Sequence, residues 1–492
     1  MKKLIFIILS LISLTAGGKG WNIDWYGSMR MGGTTGEYMP FWARTGEDGI
    51  LPVRSSGLVS AGTDLMYRHS NGIYFGAGTS LVGALAQKSP LNRNQTYGFV
   101  DRLYVSGGWR MLHLDVGLKP RERELSDVSV SGGNFMYSRN ARNIPGINAW
   151  SDRIYFDRKH IFGIKGNLAH YKMNDNRYVS GTLLHNKSLA AKVALGSKVD
   201  LSFCFEHWAQ WGGVSKNPKV GPQPMSFKDY MRVFLGNSGG EDATDSDQIN
   251  VLGNHLGKEC IRVDWKHHDF TMTFQYDKPF EDGSGKDYQN APDGIWSVQC
   301  LFARRKAIVT DIVLEFITTT WQSGTVHDRP AITEEEWASR DENDPYYGRV
   351  VVGGGDNYFG NSEYRSGWTF HNRIIGLPLI LPPLPDETGV TLRPVSTRLR
   401  GCHLGVKGMI AERIPYSFKA TYTVNFGVYK QSDDSVFASR PDQFSVALET
   451  SWPKLFRLPI DVSLGLYGDV GQLYQNSFGM TLKFSYAGSY RF

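Results

Sequence analysis

The chain has 492 residues, of which 41% are hydrophobic and 13% aromatic, with 55 glycines and a mean hydropathy of −0.32. These values exclude a bundle of long apolar helices. They fit two or three soluble domains or one large closed β structure, and the turn-rich, aromatic composition favours the second. The formal net charge of +6 drops by the two lysines of the leader, Lys2 and Lys3, to +4, too mild an excess to point to nucleic acid.

The first twenty residues, MKKLIFIILSLISLTAGGKG, carry those lysines, an apolar run from Leu4 to Leu14, and small residues at Ala16 and Gly18. The run is too short to span a bilayer, so residues 1–18 read as a signal peptide cleaved near Gly18, with 19–492 exported. No cysteine follows the run, which argues against a lipoprotein.

Beyond the leader the chain holds no 18-residue apolar stretch, and its dominant period is two. Leu112, Leu114, Val116 and Leu118 alternate with His113, Asp115 and Gly117. Val199, Leu201, Phe203 and Phe205 alternate with Asp200, Ser202, Cys204 and Glu206. From Tyr416 to Tyr429 the alternation runs on through Phe418, Tyr422, Val424 and Phe426. Runs of about ten residues or more suit tilted strands that cross a membrane better than the short strands of a sandwich. Tyr416, Phe426 and Trp452 suit an interfacial aromatic girdle.

Three segments break the period: 121–157, 212–257 and 322–384. They are expected to be a plug or extracellular loops, because long connections on a rigid barrel carry function. The second includes MSFKDYMRVF, Met225 to Phe234, as a short helix. The last strand alternates Phe478, Met480, Leu482, Phe484, Tyr486, Gly488, Tyr490 and Phe492 and ends on an aromatic. Exported outer-membrane barrels end in this way, and the barrel assembly machinery reads that strand. The expected fold is therefore all-β, a transmembrane antiparallel β-barrel of roughly 16 to 18 strands with long loops and a plugging segment. The four cysteines, Cys204, Cys260, Cys300 and Cys402, form no CxxC pair and are expected to be unpaired.

Catalytic and metal motifs are weak. GNSGG at Gly236–Gly240 matches G-x-S-x-G, but Ser238 lacks the strand before and helix after that a nucleophile elbow needs. Asp200, Glu206 and His207 read as ordinary wall residues. His267 and His268 would point to opposite faces if they lay on a strand. The acidic runs DSD and DENDP lack the glycine and spacing of a calcium loop, and GSGK lacks the rest of a phosphate loop. No catalysis, metal or cofactor is expected.

The third insert carries rings beside amides and charges, the mixture a sugar-binding surface needs: Tyr358, Tyr364 and Trp368 with Arg349, Asp356, Asn357 and Arg365. The same rings could instead pack as a plug inside the barrel. SRNARNIP (Ser138–Pro145), GNHLG (Gly253–Gly257), DNYFGNSEYRSGWTFHNRIIGLPL (Asp356–Leu379), EYMPFW (Glu37–Trp42) and QNSFGM (Gln475–Met480) occur together. On these blocks the chain resembles the Wzi family of outer-membrane capsule assembly proteins over most of its mature length. The resemblance implies an 18-stranded outer-membrane barrel of a Gram-negative bacterium that acts as a surface lectin for capsular polysaccharide, without catalysis or cofactor. It also places Asn140 and Arg142 on a segment folded into the barrel, where Arg142 would brace the plug or face an acidic sugar. Asn143 stands where that motif carries proline, and no helical period follows the leader to build a periplasmic helix bundle. The partners expected are surface polysaccharide, outer-membrane lipids and the assembly machinery, with the protein a monomer. A passive porin and an outer-membrane hydrolase are the alternative functions, and an anchor for other surface proteins a weaker one.

Overall fold

The computed structural model describes residues 20–492 apart from 90–94, 245–246, 249–250, 282–287, 323, 325–326, 331–332, 339–341, 344–346, 353–356, 382–384, 391, 393, 429–434, 456–457, 475 and 492. The leader expected at 1–18 lies outside the described residues.

Alternation of outward apolar and inward polar side chains builds one antiparallel wall of eighteen strands. In chain order these are β1 (Trp21–Thr34), β2 (Ser56–Arg68), β3 (Ile73–Ala86), β4 (Thr96–Trp109), β5 (Leu112–Leu118), β6 (Gly146–Ser151), β7 (Phe162–Lys172), β8 (Leu183–Leu195) and β9 (Val199–Trp211). They continue as β10 (Asn254–Lys266), β11 (Phe270–Phe280), β12 (Gly294–Phe302), β13 (Asp311–Thr318), β14 (Leu399–Ile410), β15 (Ile414–Asn425), β16 (Asp442–Trp452), β17 (Asp461–Gly471) and β18 (Ser477–Arg491). Each pairs with its neighbours in sequence, and the two-residue segment Ile154–Tyr155 prolongs β6 against β7. The wall closes where β1 pairs with β18, from Asn22 opposite Arg491 to Thr34 opposite Gly479, so no edge is left to aggregate.

The outer face is an apolar belt. On β9 Phe203 and Phe205 are exposed while Ser202 and Glu206 are buried inside, and on β18 Phe478, Met480, Phe484, Tyr486 and Tyr490 all face out. Short turns such as 69–72 and 196–198 join strands at one end, and the long connections gather at the other, the asymmetry of outer-membrane barrels.

Three of the long connections fill that end: 35–55, which includes a one-turn helix α1 (Phe41–Arg44), 119–145 and 319–398. Their apolar side chains, among them Phe41, Trp42, Phe135, Met136, Tyr358, Phe359, Trp368, Ile375 and Ile380, form one buried core with inward wall residues Leu184, Trp208, Leu256, Ile295, Ile317 and Leu399. Trp368 packs edge-on to Trp208 at 5.6 Å between centroids and Phe135 edge-on to Tyr358 at 5.7 Å. Each ring buried this way stabilises the plug by roughly 1.5–3 kcal/mol.

Inward polar groups of the wall hold the backbone and the polar side chains of the plug. Glu315 on β13 accepts the Val130 N–H at 2.7 Å and the Ser129 hydroxyl at 3.0 Å, and also binds the Ser131 hydroxyl. Asp277 on β11 accepts the Phe135 N–H at 2.7 Å and pairs with Lys258 of β10 at 3.0 Å. Glu206 accepts Asn134 at 2.8 Å, Trp208 at 3.0 Å and Arg121 at 3.2 Å. Where the plug touches β14, Gly405 is needed: a Cβ there would stand 2.3 Å from the Val128 carbonyl oxygen.

Several expectations change. The first insert returns to the wall at Gly146 rather than after 157, because the short alternation of GINAWS already makes a strand. The second insert does not enter the barrel. Its helix α2 (Phe227–Leu235), capped by Ser226 and ended by left-handed Gly236, lies outside the wall, with Val233 packed on Ala209 and Trp211. The third insert is longer than 322–384 and reaches β14 at Leu399. Cys204 and Cys260 are disulfide-bonded, since they sit directly opposite on β9 and β10 with Cα atoms 4.9 Å apart. Cys300 and Cys402 are free.

Two outcomes follow from this architecture. A maleimide reagent on the denatured, unreduced protein should modify two thiols and on the reduced protein four; four without reduction would exclude the Cys204–Cys260 bond. Glu315→Ala removes an acceptor of charge-assisted bonds each contributing about 1.5–3 kcal/mol. Protease cleavage within 119–145 should then rise by roughly tenfold or more, with the heat-modifiable gel mobility of the barrel unchanged. Equal cleavage of variant and parent would show that Glu315 does not hold the plug.

Candidate functional site

The ring-rich stretch of the third insert is turned inward. Tyr358, Tyr364 and Trp368 are buried, and the Trp368 indole donates to the Met136 carbonyl at 2.8 Å. The Tyr358 hydroxyl accepts from Asn290 at 2.7 Å, and the Tyr364 hydroxyl donates to the Gly212 carbonyl at 3.3 Å. Asn357 binds the Thr397 hydroxyl. Arg365 lies over the Tyr178 ring at 4.9 Å and bonds the Ser362 carbonyl at 3.1 Å. Asp356 and the side chain of Arg349 lie outside the described residues. The structure thus gathers the described members of this set into the plug and its rim, with the three ring faces covered by protein.

Asn140 ties three plug segments together. Its side-chain Oδ1 accepts the Gly46 N–H at 3.2 Å, and its Nδ2 donates to the Ile374 carbonyl at 3.1 Å. Gly49 permits this close packing, for a Cβ there would meet the Asn140 oxygen and the Arg142 nitrogen at 2.9 Å, and its φ is +65°. The neighbouring Arg139 donates to Asp48 at 2.7 Å while the Asp48 N–H donates back to the Arg139 carbonyl at 2.9 Å. Arg142 is different. Its guanidinium lies 3.5 Å from the centroid of Phe99, and among the described residues it has neither a hydrogen-bonded nor an ion-paired partner.

Arg142 faces a crevice of about 220 Å³ at the loop end of the wall, between β3, β4 and the plug. Tyr97 and Phe99 line the β4 side; Arg54, His371 and Arg373 line the rest. A bulge in the pairing of β3 with β4, at Ser80/Leu81, leaves Asp101 as the extra residue, and its backbone and carboxylate oxygens accept the Asn143 amide at 3.2 and 3.4 Å. His371 and Asn372, both left-handed at φ 47° and 63°, form the tight turn of a small hairpin in which Phe370 faces Arg373. That turn carries His371 and Arg373 to the crevice.

The crevice is cationic. Arg373 donates to the carbonyls of Arg44, at 2.7 Å, and Leu51, with no carboxylate beside it among the described residues. Burial, and then the charges of Arg44 and Arg142, push Arg373 down to about 10. Burial likewise lowers Arg142. The surrounding protein, and then Arg142, push His371 down to about 4 although its edge is open to solvent. At neutral pH the two arginines are charged and the histidine is not. Arg54 is balanced by Glu37. An anionic group held here would relieve the repulsion between buried guanidinium groups, and the rings of Tyr97 and Phe99 offer flat apolar surface beside it.

The other sequence motifs gather no comparable constellation. Asp200 pairs with Lys192 and Lys266 at 2.5 and 2.6 Å inside the barrel, Glu206 points in and His207 points out. Ser238 follows α2 in exposed chain rather than at a strand-to-helix elbow. His267 and His268 lie in the β10–β11 turn rather than on a strand, so they do converge: their ring centroids are 4.0 Å apart and both face Asp269. Arg373, Tyr97 and Phe99 escaped sequence reasoning, because the crevice joins residues from four distant segments. The HN pair between WTF and RII was the available signal for the hairpin.

No protein-family model matches the chain, and no curated protein matches it. Among solved structures it is similar to Wzi of Escherichia coli, described as an outer membrane protein involved in group 1 capsule assembly and a carbohydrate binding β-barrel. The two share 12% identity over 98% of this chain and 87% of that one, with a TM-score of 0.53. Lower-scoring matches are OccAB4 of Acinetobacter baumannii, at 10% identity over 95% and 98% of the two chains and a TM-score of 0.45, and the outer membrane protein OpdK of Pseudomonas aeruginosa, at 9% identity over 96% and 100% and a TM-score of 0.47. At these identities the likeness is one of fold, and the fold is that of an eighteen-stranded outer-membrane β-barrel with the architecture of Wzi.

Proposed function

We propose that this protein is a non-catalytic outer-membrane lectin that holds an acidic capsular or surface polysaccharide at the cell surface. The observation that carries the reading is the cationic crevice: Arg142, without a hydrogen-bonded or ion-paired partner among the described residues, and Arg373, without a carboxylate beside it among them, stand by Tyr97 and Phe99 at the end of the barrel where the long loops gather. Guanidinium groups match the carboxylates of uronic acids in bidentate geometry, and aromatic rings match the C–H faces of pyranoses. One such crevice binds weakly. A polymer that meets many copies of the protein is retained by avidity. The fold shared with a carbohydrate binding barrel supports the reading, as does the apolar core that occupies the loop end of the lumen.

A passive porin is the competing reading, and the ion-paired lumen below the plug, with Asp64–Arg102 and Lys192–Asp200, is the observation in its favour. Planar-bilayer recording separates the two: the lectin reading expects no steady conductance from the intact protein, and open channels of porin size would replace it.

Arg142→Ala should weaken binding of an acidic polysaccharide by roughly tenfold, the loss of one charge-assisted contact of about 1.5 kcal/mol, while binding of the carboxyl-reduced polymer stays unchanged. Affinity electrophoresis at low and high salt reads both, and salt should weaken the parent more than the variant. In cells, loss of the protein should move polysaccharide from the cell-bound to the shed fraction at constant total. An unchanged partition would refute retention as its role.

A further inference from the structure

The second insert, 212–253, meets the third through the bond from Tyr364 to the Gly212 carbonyl but places no side chain in the crevice or the plug core, and its position raises a separate question. At the loop end of β7, β8, β9 and β10, the outward positions stop being apolar: His170, His185, Lys187, His207 and His255 stand where the pattern below them places Leu168, Leu189, Phe205 and Ile261. Groups of this kind are costly against hydrocarbon. Helix α2 lies over them. Tyr230 meets His170 and His185 edge-on at 5.6 Å, Phe234 packs on His185 at 5.5 Å, and His207 hydrogen-bonds His255 at 2.9 Å beneath the insert. Lys187 binds the Phe234 carbonyl at the C-terminal end of α2 and lies 4.2 Å from its ring, a favourable end for a cation.

The helix therefore substitutes protein for lipid over a polar patch of wall. A second stripe beside the wall-packed one is apolar as well: Phe227, Met231 and Leu235, spaced four apart, are 78%, 37% and 62% exposed, with Lys228 and Arg232 on the polar side beyond them, the arrangement of a helix lying at a membrane interface. A surface helix in water confines its apolar residues to the stripe packed on the protein. Here the stripe continues the exposed belt formed by Leu189, Phe203 and Ile261 on the strands that α2 covers. We propose that the outer face of α2 docks against the acyl chains of the membrane leaflet at the loop end of the barrel, so that the insert completes the lipid-facing surface where the wall itself is polar. The inference rests on the barrel alone and stands or falls independently of polysaccharide binding.

The test uses the full-length protein with Cys300→Ser and Cys402→Ser, reconstituted in phosphatidylcholine vesicles containing doxyl-labelled lipid. An environment-sensitive fluorophore is attached at Met231→Cys, with Leu189→Cys as a belt control and Ser238→Cys as an exposed-loop control. Docking expects lipid quenching at Met231→Cys within about twofold of that at Leu189→Cys, and iodide quenching several-fold below that at Ser238→Cys. Iodide quenching equal to the loop control, or excimers and cross-links between copies in place of lipid quenching, would overturn it. Heat-modifiable mobility reports folding of each variant, and Leu235→Cys supplies the same reading if Met231→Cys fails to fold.

Discussion

An eighteen-stranded wall encloses more space than its own side chains can fill, and the way this chain fills it governs everything else in the molecule. Loops alone could not do so, because their backbone would arrive in the lumen with unmet N–H and C=O groups. The inward carboxylates Glu315 and Asp277 accept backbone N–H groups of the plug directly, Glu206 holds it through the Asn134 and Arg121 side chains, and His403 on β14 bonds the Val128 carbonyl at 2.7 Å. Once the backbone is satisfied, Phe135, Tyr358 and Trp368 can pack dry against Trp208 and Ile317. Polar wall and apolar plug core are two halves of one solution.

The arginines separate into two groups by their company. Arg30, Arg121 and Arg139 each face a carboxylate, at 2.7 Å for Glu47, 3.2 Å for Glu206 and within bonding distance of Asp48, and they fasten loop to wall or loop to loop. Arg142 and Arg373 face a ring and two backbone carbonyls respectively. Taking a guanidinium out of water without a bonded counter-charge is costly, and among the described residues neither of these two has an ion-paired partner, although Asp101 stands near enough to Arg142 to act on it electrostatically, so the crevice stays positive at a place solvent can reach. Sequence position does not distinguish the groups, for Arg139 and Arg142 are three residues apart in the same motif.

The wall was largely legible in the sequence. Period-two runs such as Val199–Phe205 and the aromatic-ended β18 express a rule that acts locally, one face to lipid and the other to the lumen. Short strands were harder, and GINAWS was read as loop because six residues carry little periodic signal beside a glycine and a proline. The plug was legible only as an interruption. Whether the rings of the third insert face a sugar or a core depends on which wall residues stand opposite, and Leu184, Leu256, Ile295 and Ile317 become visible as core formers only when the loop ends of their strands are aligned. The Cys204–Cys260 pair is a matter of register between β9 and β10, which spacing of 56 residues cannot supply. The same holds for the placement of α2: its helix was evident, and the side of the wall it takes was not.

The seam between the first and last strands is held from inside as well as along its own ladder. β1 meets β18 across almost the whole chain, Asn22 and Ser489 being 467 residues apart, and the plug is stitched across the same seam, since Phe41 of α1 donates to Asp469 of β17 at 2.9 Å. All three plug connections start and end at the loop rim, so they enter the lumen from that end without threading. Because α1 follows β1 and is bonded to β17, on the far side of β18, the plug clasps the two sides of the seam together, and filling the barrel and holding it closed reinforce each other.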